Sequence, residues 1–142
     1  MAAKWEVYKQ FVEALDVASG NMFAYSALVA AYEKSADWLP QVCSYIQGNI
    51  DYVAHQLPKL TPKIKMITPQ ASFLIFLDCR ELKLTSEELQ NFFVFEAGLV
   101  LNEGISFGPG GEGFMRLNIG CPRKILDQAM NQLKLAYEKR GF

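Results

Sequence analysis

Arg116 stands on a short alternating segment, and its guanidinium is the group in this chain best suited to bind an anion. Within 114–119, one face is wholly apolar and the other carries Arg116 with Phe114 and Asn118, because successive side chains of a strand point to opposite sides. A guanidinium fixed on a rigid strand can grip a carboxylate or phosphate through two parallel hydrogen bonds. From the strand alone, an arginine that faces solvent is the more common case. The segment therefore leaves two possibilities, an anion-binding fork or a surface charge.

A glycine-rich loop precedes this strand, and a Cys-Pro-Arg helix start follows it. The loop, 108–113, leads into a strand rather than a helix N-terminus and lacks a Lys-Ser/Thr pair, so it does not match a phosphate-binding loop. Its glycines are predicted to provide turn geometry or to let the backbone approach a substrate. Cys121 at the helix start could have a lowered pKa, but an inert, packed thiol is the favoured interpretation.

Two kinds of side chain could assist Arg116. Asn118, on the same face, could brace the guanidinium or make a strand-end hydrogen bond, and both roles stay open. Phe107 and Phe114 could line a cleft, although core packing is the favoured interpretation for both. The sequence has no convergent pair of acidic residues of the kind that glycoside hydrolysis uses.

The loop, the strand and the helix start together resemble the C-terminal end of the class I/II aminotransferases, fold-type I enzymes that use pyridoxal 5′-phosphate (PLP). Within these enzymes the chain is most similar to the C–S β-lyase branch, the cystathionine β-lyases of MalY and PatB type. The segments that carry the resemblance cover nearly the whole chain in the family's order: NMFAYSALVAAYEKSADWL, YIQGNIDYV, ASFLIFLDCREL, LVLNEGISFG and GEGFMRLNIGCPR.

The resemblance implies that Arg116 binds the α-carboxylate of an amino acid substrate, such as cystathionine or a cysteine conjugate, while PLP supplies the electron-sink chemistry. The family's PLP-binding lysine lies in a Ser-x-x-Lys segment that would precede residue 1. We therefore expect the C-terminal, substrate-binding part of a longer enzyme, with no catalytic, cofactor-binding or metal-binding residue of its own. The chain alone is expected to be inactive and without PLP. The expected partners are the substrate, an N-terminal PLP domain and a second copy of the protein.

The resemblance does not separate a lyase from an aminotransferase, because the pocket for the substrate side chain draws on residues outside this sequence. The alternative function is an autonomous α+β domain that binds another protein without catalysis. In that case the apolar helix at 22–34 would dock on the partner, and Arg116 would be a surface charge.

Length, charge and cysteine content set broad limits. A chain of 142 residues suffices for one domain with a core. The net charge of −1, with acids and bases interspersed, leaves no basic stripe for nucleic acid. The first residues lack the apolar core of a signal peptide, and no apolar run approaches the ~18 residues that span a membrane, so we expect a cytoplasmic protein. Cys43, Cys79 and Cys121 lack paired spacing and are predicted to be reduced, packed thiols.

Apolar residues at helical spacing predict three helices before residue 58. The first is expected from Trp5 to a stop at Ser19-Gly20. The second should run from Met22 to about Lys34, with Asn21 as its cap. The third should begin at its cap, Asp37, and run to about Leu57. Pro58 and Pro62 then break the chain. We therefore expect residues 1–58 to form a helical segment that joins the PLP domain to a C-terminal small domain at 59–142.

The second part of the chain has the predicted order β-β-α-β-β-α. Strands are expected at 63–67, 73–79, 99–101 and 114–119, a helix with a Thr85–Glu88 capping box runs to about Glu96, and Pro122 begins the last helix. Apart from Asp78, the second strand is apolar on both faces and should be central in its sheet. The order predicts an α+β fold, a two-layer sandwich in which helices pack on one small mixed or antiparallel sheet.

Overall fold

The computed structural model describes residues 2–15 and 21–142. Five α-helices lie in this part of the chain: α1 Ala2–Leu15, α2 Met22–Lys34, α3 Trp38–Leu60, α4 Ser86–Asn91 and α5 Arg123–Arg140. The strands are β1 Lys65–Ile67, β2 Leu74–Asp78, β3 Asn102–Glu103 and β4 Phe114–Asn118. Among the described helices, none combines the length and the apolar character that a bilayer crossing requires.

The chain divides into two compact units, Met1–Pro40 and Gln41–Phe142. The predicted boundary after residue 58 lies inside α3, and it stays a prediction about the domains of the complete protein. The predicted helix stop at Ser19-Gly20 lies outside the described residues.

In the first unit, α2 begins as the sequence predicts. The side-chain oxygen of Asn21 accepts a hydrogen bond from the Ala24 backbone N–H at 2.8 Å, which satisfies one of the free amides of the first turn. No residue of α2 is buried, and Phe23 and Tyr32 are 84% and 82% exposed. A helix that is apolar nearly all round therefore stands uncovered in this chain.

In the second unit, a four-stranded antiparallel sheet has the order β1-β2-β4-β3. β2 is an inner strand, as predicted. The prediction of a third strand at 99–101 is wrong, because the residues that pair with β4 are Asn102 and Glu103. The Leu99 N–H instead donates to the Phe93 carbonyl at 2.7 Å. Phe93 lies in the π-helical segment Phe92–Glu96 that continues α4, and residues 99–101 connect this segment to β3 without regular structure.

The helices of the second unit pack on one face of the sheet. β2 contributes the buried Ile75 and Leu77 to that face, and β4 contributes Met115 and Leu117. The helical side of the same core contains Val53, Leu57, Leu89, Phe92, Phe93, Leu126, Met130, Leu133 and Tyr137. Each large apolar side chain buried in this way contributes about 1.5–3 kcal/mol. The predicted α+β two-layer sandwich is confirmed.

The helix α3 runs through Pro58 to Leu60, so the prediction that Pro58 ends the helix is wrong. A proline inside a helix removes one backbone hydrogen bond and crowds the carbonyl four residues before it, which disfavours the helix without always ending it. The buried side chains of Val53 and Leu57 hold this part of α3 against the core. The helix ends at Leu60, and the N–H of the following Thr61 donates to the Leu57 carbonyl at 2.8 Å.

Candidate carboxylate-binding site

Arg116 lies on the face of the sheet opposite to the packed helices. β4 alternates as the sequence predicts, with Met115 and Leu117 buried and Arg116 half-buried on the other side. In the antiparallel register, Arg116 stands between Phe76 of β2 and Asn102 of β3. Residues directly opposite each other on neighbouring strands share a face, so these three side chains are brought together by the sheet itself.

Asn102 holds the guanidinium of Arg116. The Nη2 of Arg116 donates a hydrogen bond to the Asn102 side-chain oxygen at 2.9 Å. Sequence reasoning missed this residue, because the predicted third strand stopped at Leu101. The signal was present in the segment LVLNEGISFG, but only the register of two short strands reveals which side chain faces the arginine.

Phe107 covers one flank of the same guanidinium. The guanidinium carbon lies 4.4 Å from the centroid of the Phe107 ring, a cation–π contact. The ring also meets Phe76 edge-on, with centroids 5.8 Å apart. Phe107 is 52% exposed, so the favoured expectation that it packs in the core is wrong. Phe114 is half-buried beneath the guanidinium of Arg80, at 4.8 Å.

Arg116 makes no ion pair with any described residue. Its Nε atom is buried and has no hydrogen-bond partner in the described part of the chain. A buried donor without an acceptor costs about 1–3 kcal/mol, and buried charges are normally paired. The site therefore holds a positive charge in a fixed place and leaves part of its hydrogen-bonding capacity unused.

Arg80, in the turn that follows β2, shows the contrasting case. Its Nε donates to Asp78 Oδ1 at 2.9 Å and its Nη2 donates to Oδ2 at 2.7 Å, a bidentate pair. The hydrogen bonds from Arg80 lower the pKa of the Asp78 carboxyl group. An arginine with a carboxylate in reach is thus fully engaged, which Arg116 is not.

Asn118 forms the strand-end hydrogen bond that the sequence left open as one of its two roles. Its side-chain oxygen accepts from the Gly120 N–H at 2.8 Å. The bracing contact on the guanidinium comes from Asn102 on the neighbouring strand. The structure therefore brings Arg116 together with Asn102 and Phe107, while Asn118 shapes the chain that follows β4.

The glycine-rich loop folds back on its own beginning. A Cβ atom on Gly111 would lie 2.1 Å from the Gly104 carbonyl oxygen, and one on Gly104 would lie 2.3 Å from the Gly111 carbonyl oxygen. Real Cβ atoms do not approach backbone so closely, so both positions need glycine. The contact closes the segment that carries Phe107, which forms a 3₁₀ turn at Gly104–Phe107. These two glycines serve a contact within the loop.

A second network fixes the end of β4 to α3. The buried side chain of Asn49 donates to the carbonyls of Ile119 and Cys121 at 2.9 and 3.0 Å and accepts from Arg123 Nε at 2.9 Å. Arg123 Nη2 also donates to the Gly48 carbonyl at 2.6 Å. The arginine of the Cys-Pro-Arg motif therefore has a structural role, since it locks the connection between β4 and α5.

The three cysteine side chains differ in burial, and burial raises the pKa of two of them. Burial raises the pKa of Cys79 to about 12 and raises that of Cys121, so the interpretation of Cys121 as an inert thiol is supported. Cys43 is exposed, and the prediction that all three thiols are packed is wrong for this residue.

The side chains gathered at this site are the cation of Arg116, the amide of Asn102, which accepts from it, and the aromatic rings of Phe107 and Phe76. This set fits the carboxylate of an amino acid.

Comparisons with known proteins identify relatives. No family model matches the chain. The chain is 40% identical over 116 residues to cystathionine β-lyase PatB of Bacillus subtilis. This alignment covers 82% of this chain and 30% of PatB. It is also 32% identical over 114 residues to protein MalY of Escherichia coli, in an alignment that covers 80% of this chain and 29% of MalY.

Comparison with solved structures also finds PLP-containing enzymes. Cystalysin of Treponema denticola, whose crystal structure contains PLP, matches with a TM-score of 0.87 and 25% identity. The match covers 95% of this chain and 35% of cystalysin. The chain thus spans about 30% of the length of the curated relatives it matches, and these comparisons give the interaction-domain alternative no support. By sequence and by fold, the chain is homologous to a segment of the PLP-dependent cystathionine β-lyases and aminotransferases, and its α+β unit has the fold of their small domain.

Proposed function

We propose that this chain forms the substrate-binding part of a PLP-dependent C–S β-lyase, in which Arg116 binds the α-carboxylate of the amino acid substrate. The observation that carries the proposal is the incomplete hydrogen bonding of the Arg116 guanidinium. Its Nη2 donates to Asn102, and its Nε is buried without a partner among the described residues. Cystathionine and cysteine conjugates are the proposed substrate class, which the similarity to cystathionine β-lyase PatB supports.

The role of the chain is to hold and orient the substrate. A carboxylate bound by a rigid fork fixes the position of the neighbouring Cα and limits its rotation, and such positioning lowers the barrier of the following step. PLP, when bound by the complete enzyme, supplies the electron sink. The residues of this chain supply the charge, the geometry and part of the wall of the site.

The proposal includes two protein partners. One is a PLP domain in the remainder of a longer protein, since the relatives are about three times as long as the matched segment. The other is a second copy of the protein, because α2 exposes a surface that includes Phe23 and Tyr32. A cytoplasmic location is also proposed, and it is supported by the unpaired thiols, which are typical of reducing compartments.

Substitution of Arg116 in the complete enzyme tests this function. A charge-assisted hydrogen bond contributes about 1.5–3 kcal/mol, so loss of a bidentate pair in Arg116→Ala should lower kcat/KM by roughly 10²-fold or more. Arg116→Lys should restore activity only in part, because a point charge does not reproduce the fork. PLP content should stay at the parental level in both variants.

Arg80→Lys is the matched control, since Arg80 already has the carboxylate of Asp78 and should have no part in substrate binding. It should keep kcat/KM near the parental value. Parental kcat/KM in both Arg116 variants would show that the proposed function of this residue is wrong.

A further inference from the structure

We infer that Asn102 is a positioning residue that fixes the Arg116 guanidinium through a neutral acceptor, so that its positive charge stays available for the substrate carboxylate. The inference rests on the proposed function of Arg116. Position 102 therefore needs a side chain that accepts a hydrogen bond and carries no charge.

The geometry of the sheet supplies the first argument. Asn102 and Arg116 are direct partners in the register of β3 and β4, and the Asn102 side-chain oxygen accepts from Nη2 at 2.9 Å. With this nitrogen held from the β3 side and the Phe107 ring 4.4 Å from the guanidinium carbon, the arginine is restrained in two directions. A restrained fork loses less rotamer entropy when it binds a carboxylate.

Charge supplies the second argument, and Arg80 provides the internal comparison. Where a carboxylate faces an arginine in this fold, as Asp78 faces Arg80, two hydrogen bonds of 2.9 and 2.7 Å engage the guanidinium. An aspartate at position 102 would offer Arg116 the same partner. The side chain of asparagine has the same shape and the same acceptor, but it leaves the charge of the arginine uncompensated.

The loop supplies the third argument. β3 leads directly into the 3₁₀ turn at Gly104–Phe107, and the close approach of Gly104 to Gly111 fixes this turn. Asn102 and Phe107 therefore belong to one closed segment that is placed beside Arg116 as a unit. The glycine-rich loop thus helps to hold the Phe107 ring against the Arg116 guanidinium, although the loop is not part of β4.

The test compares Asn102→Asp with Asn102→Ala in the complete enzyme. Asn102→Asp keeps the acceptor and adds an ion pair, so the melting temperature should stay at or above the parental value and PLP content should not change. Its kcat/KM should nevertheless fall by at least about tenfold, mainly through a higher KM, because the new carboxylate competes with the substrate. Asn102→Ala should lose less activity than Asn102→Asp.

A second arm places Asn102→Ala in the Arg116→Ala background, where it should have no further effect on kcat/KM. A loss that persisted without Arg116 would mean that Asn102 acts through the fold and would overturn the inference. Parental kcat/KM in Asn102→Asp, with activity lost in Arg116→Ala, would overturn the inference and leave the proposed function intact. Parental kcat/KM in Arg116→Ala would overturn both.

Discussion

Asn49 and Arg123 form a partly buried hydrogen bond of 2.9 Å between α3 and the first residue of α5. The same asparagine amide binds the carbonyls of Ile119 and Cys121, the stretch that follows the strand of Arg116. Every polar atom of the Asn49 side chain is thus used to fix the end of β4. The site depends on this contact for its position relative to the helical layer.

Asn49→Ala should therefore destabilise the chain strongly. It leaves two carbonyls and the Arg123 Nε without their partner, and each unsatisfied buried group costs about 1–3 kcal/mol. We expect the free energy of unfolding to fall by roughly 2–4 kcal/mol in chemical denaturation. Gln47→Ala is the control, because Gln47 bonds only to Asp51 on the exposed side of the same helix. Equal effects of the two changes would contradict the role given to Asn49.

Gly111→Ala should disturb the loop that carries Phe107. The new Cβ atom would lie 2.1 Å from the Gly104 carbonyl oxygen, so the two backbone segments must separate. We expect a lower melting temperature together with a higher KM in the complete enzyme. Gly110→Ala is the neighbouring control, since a Cβ there meets no atom within 4 Å and only its positive φ of 89° opposes the change. A smaller loss in Gly111→Ala than in Gly110→Ala would show that the loop closure is unimportant.

The pair of Asp78 and Arg80 should make stability depend on pH in the acid range. The hydrogen bonds from Arg80 lower the pKa of Asp78 in the folded chain below its unfolded value of about 3.9. The stabilisation is therefore complete above the unfolded pKa and is lost as the pH falls through the folded pKa. Asp78→Asn should be less stable than the parent at pH 7, and the difference should shrink below about pH 4. Denaturation curves at both pH values measure it, and a difference that grew in acid would contradict this account.

Leu28→Glu should shift the chain toward monomer. α2 has no buried residue, and Leu28 is 56% exposed on it, so self-association would remove this apolar surface from water. A stable interface of standard size buries roughly 1,600 Å² in total. Leu135→Glu is the matched control, because Leu135 is 65% exposed on α5. Sedimentation velocity compares the three chains, and a parent that is already monomeric would contradict the proposed self-association.

The sequence predicts what depends on local pattern. The alternation through Met115, Arg116 and Leu117 identifies the strand and the face of the arginine, and the Thr85–Glu88 capping box places a helix start. The role proposed for Arg116 comes from the resemblance to the lyases.

What the sequence does not predict depends on contacts between distant parts of the chain. Asn102 lies on a strand of two residues, too short for a periodic signal, and its partner is fixed by the register with β4. The bonds of Asn49 span about seventy residues, and no local pattern relates its segment to the Cys-Pro-Arg motif. The continuation of α3 through Pro58 likewise depends on tertiary packing, since Val53 and Leu57 are buried in the core.

The central claim is that Arg116 binds the α-carboxylate, and a substrate without that charge tests it most directly. The measurement is the ratio of kcat/KM for a cysteine-conjugate substrate to that for its α-carboxamide, in the complete enzyme. The parental enzyme and Arg80→Lys should prefer the carboxylate by roughly 10²-fold or more, on the scale of a lost charge-assisted pair. In Arg116→Ala the ratio should fall to within about tenfold of one. A preference in Arg116→Ala as large as in the parent would show that another group binds the carboxylate.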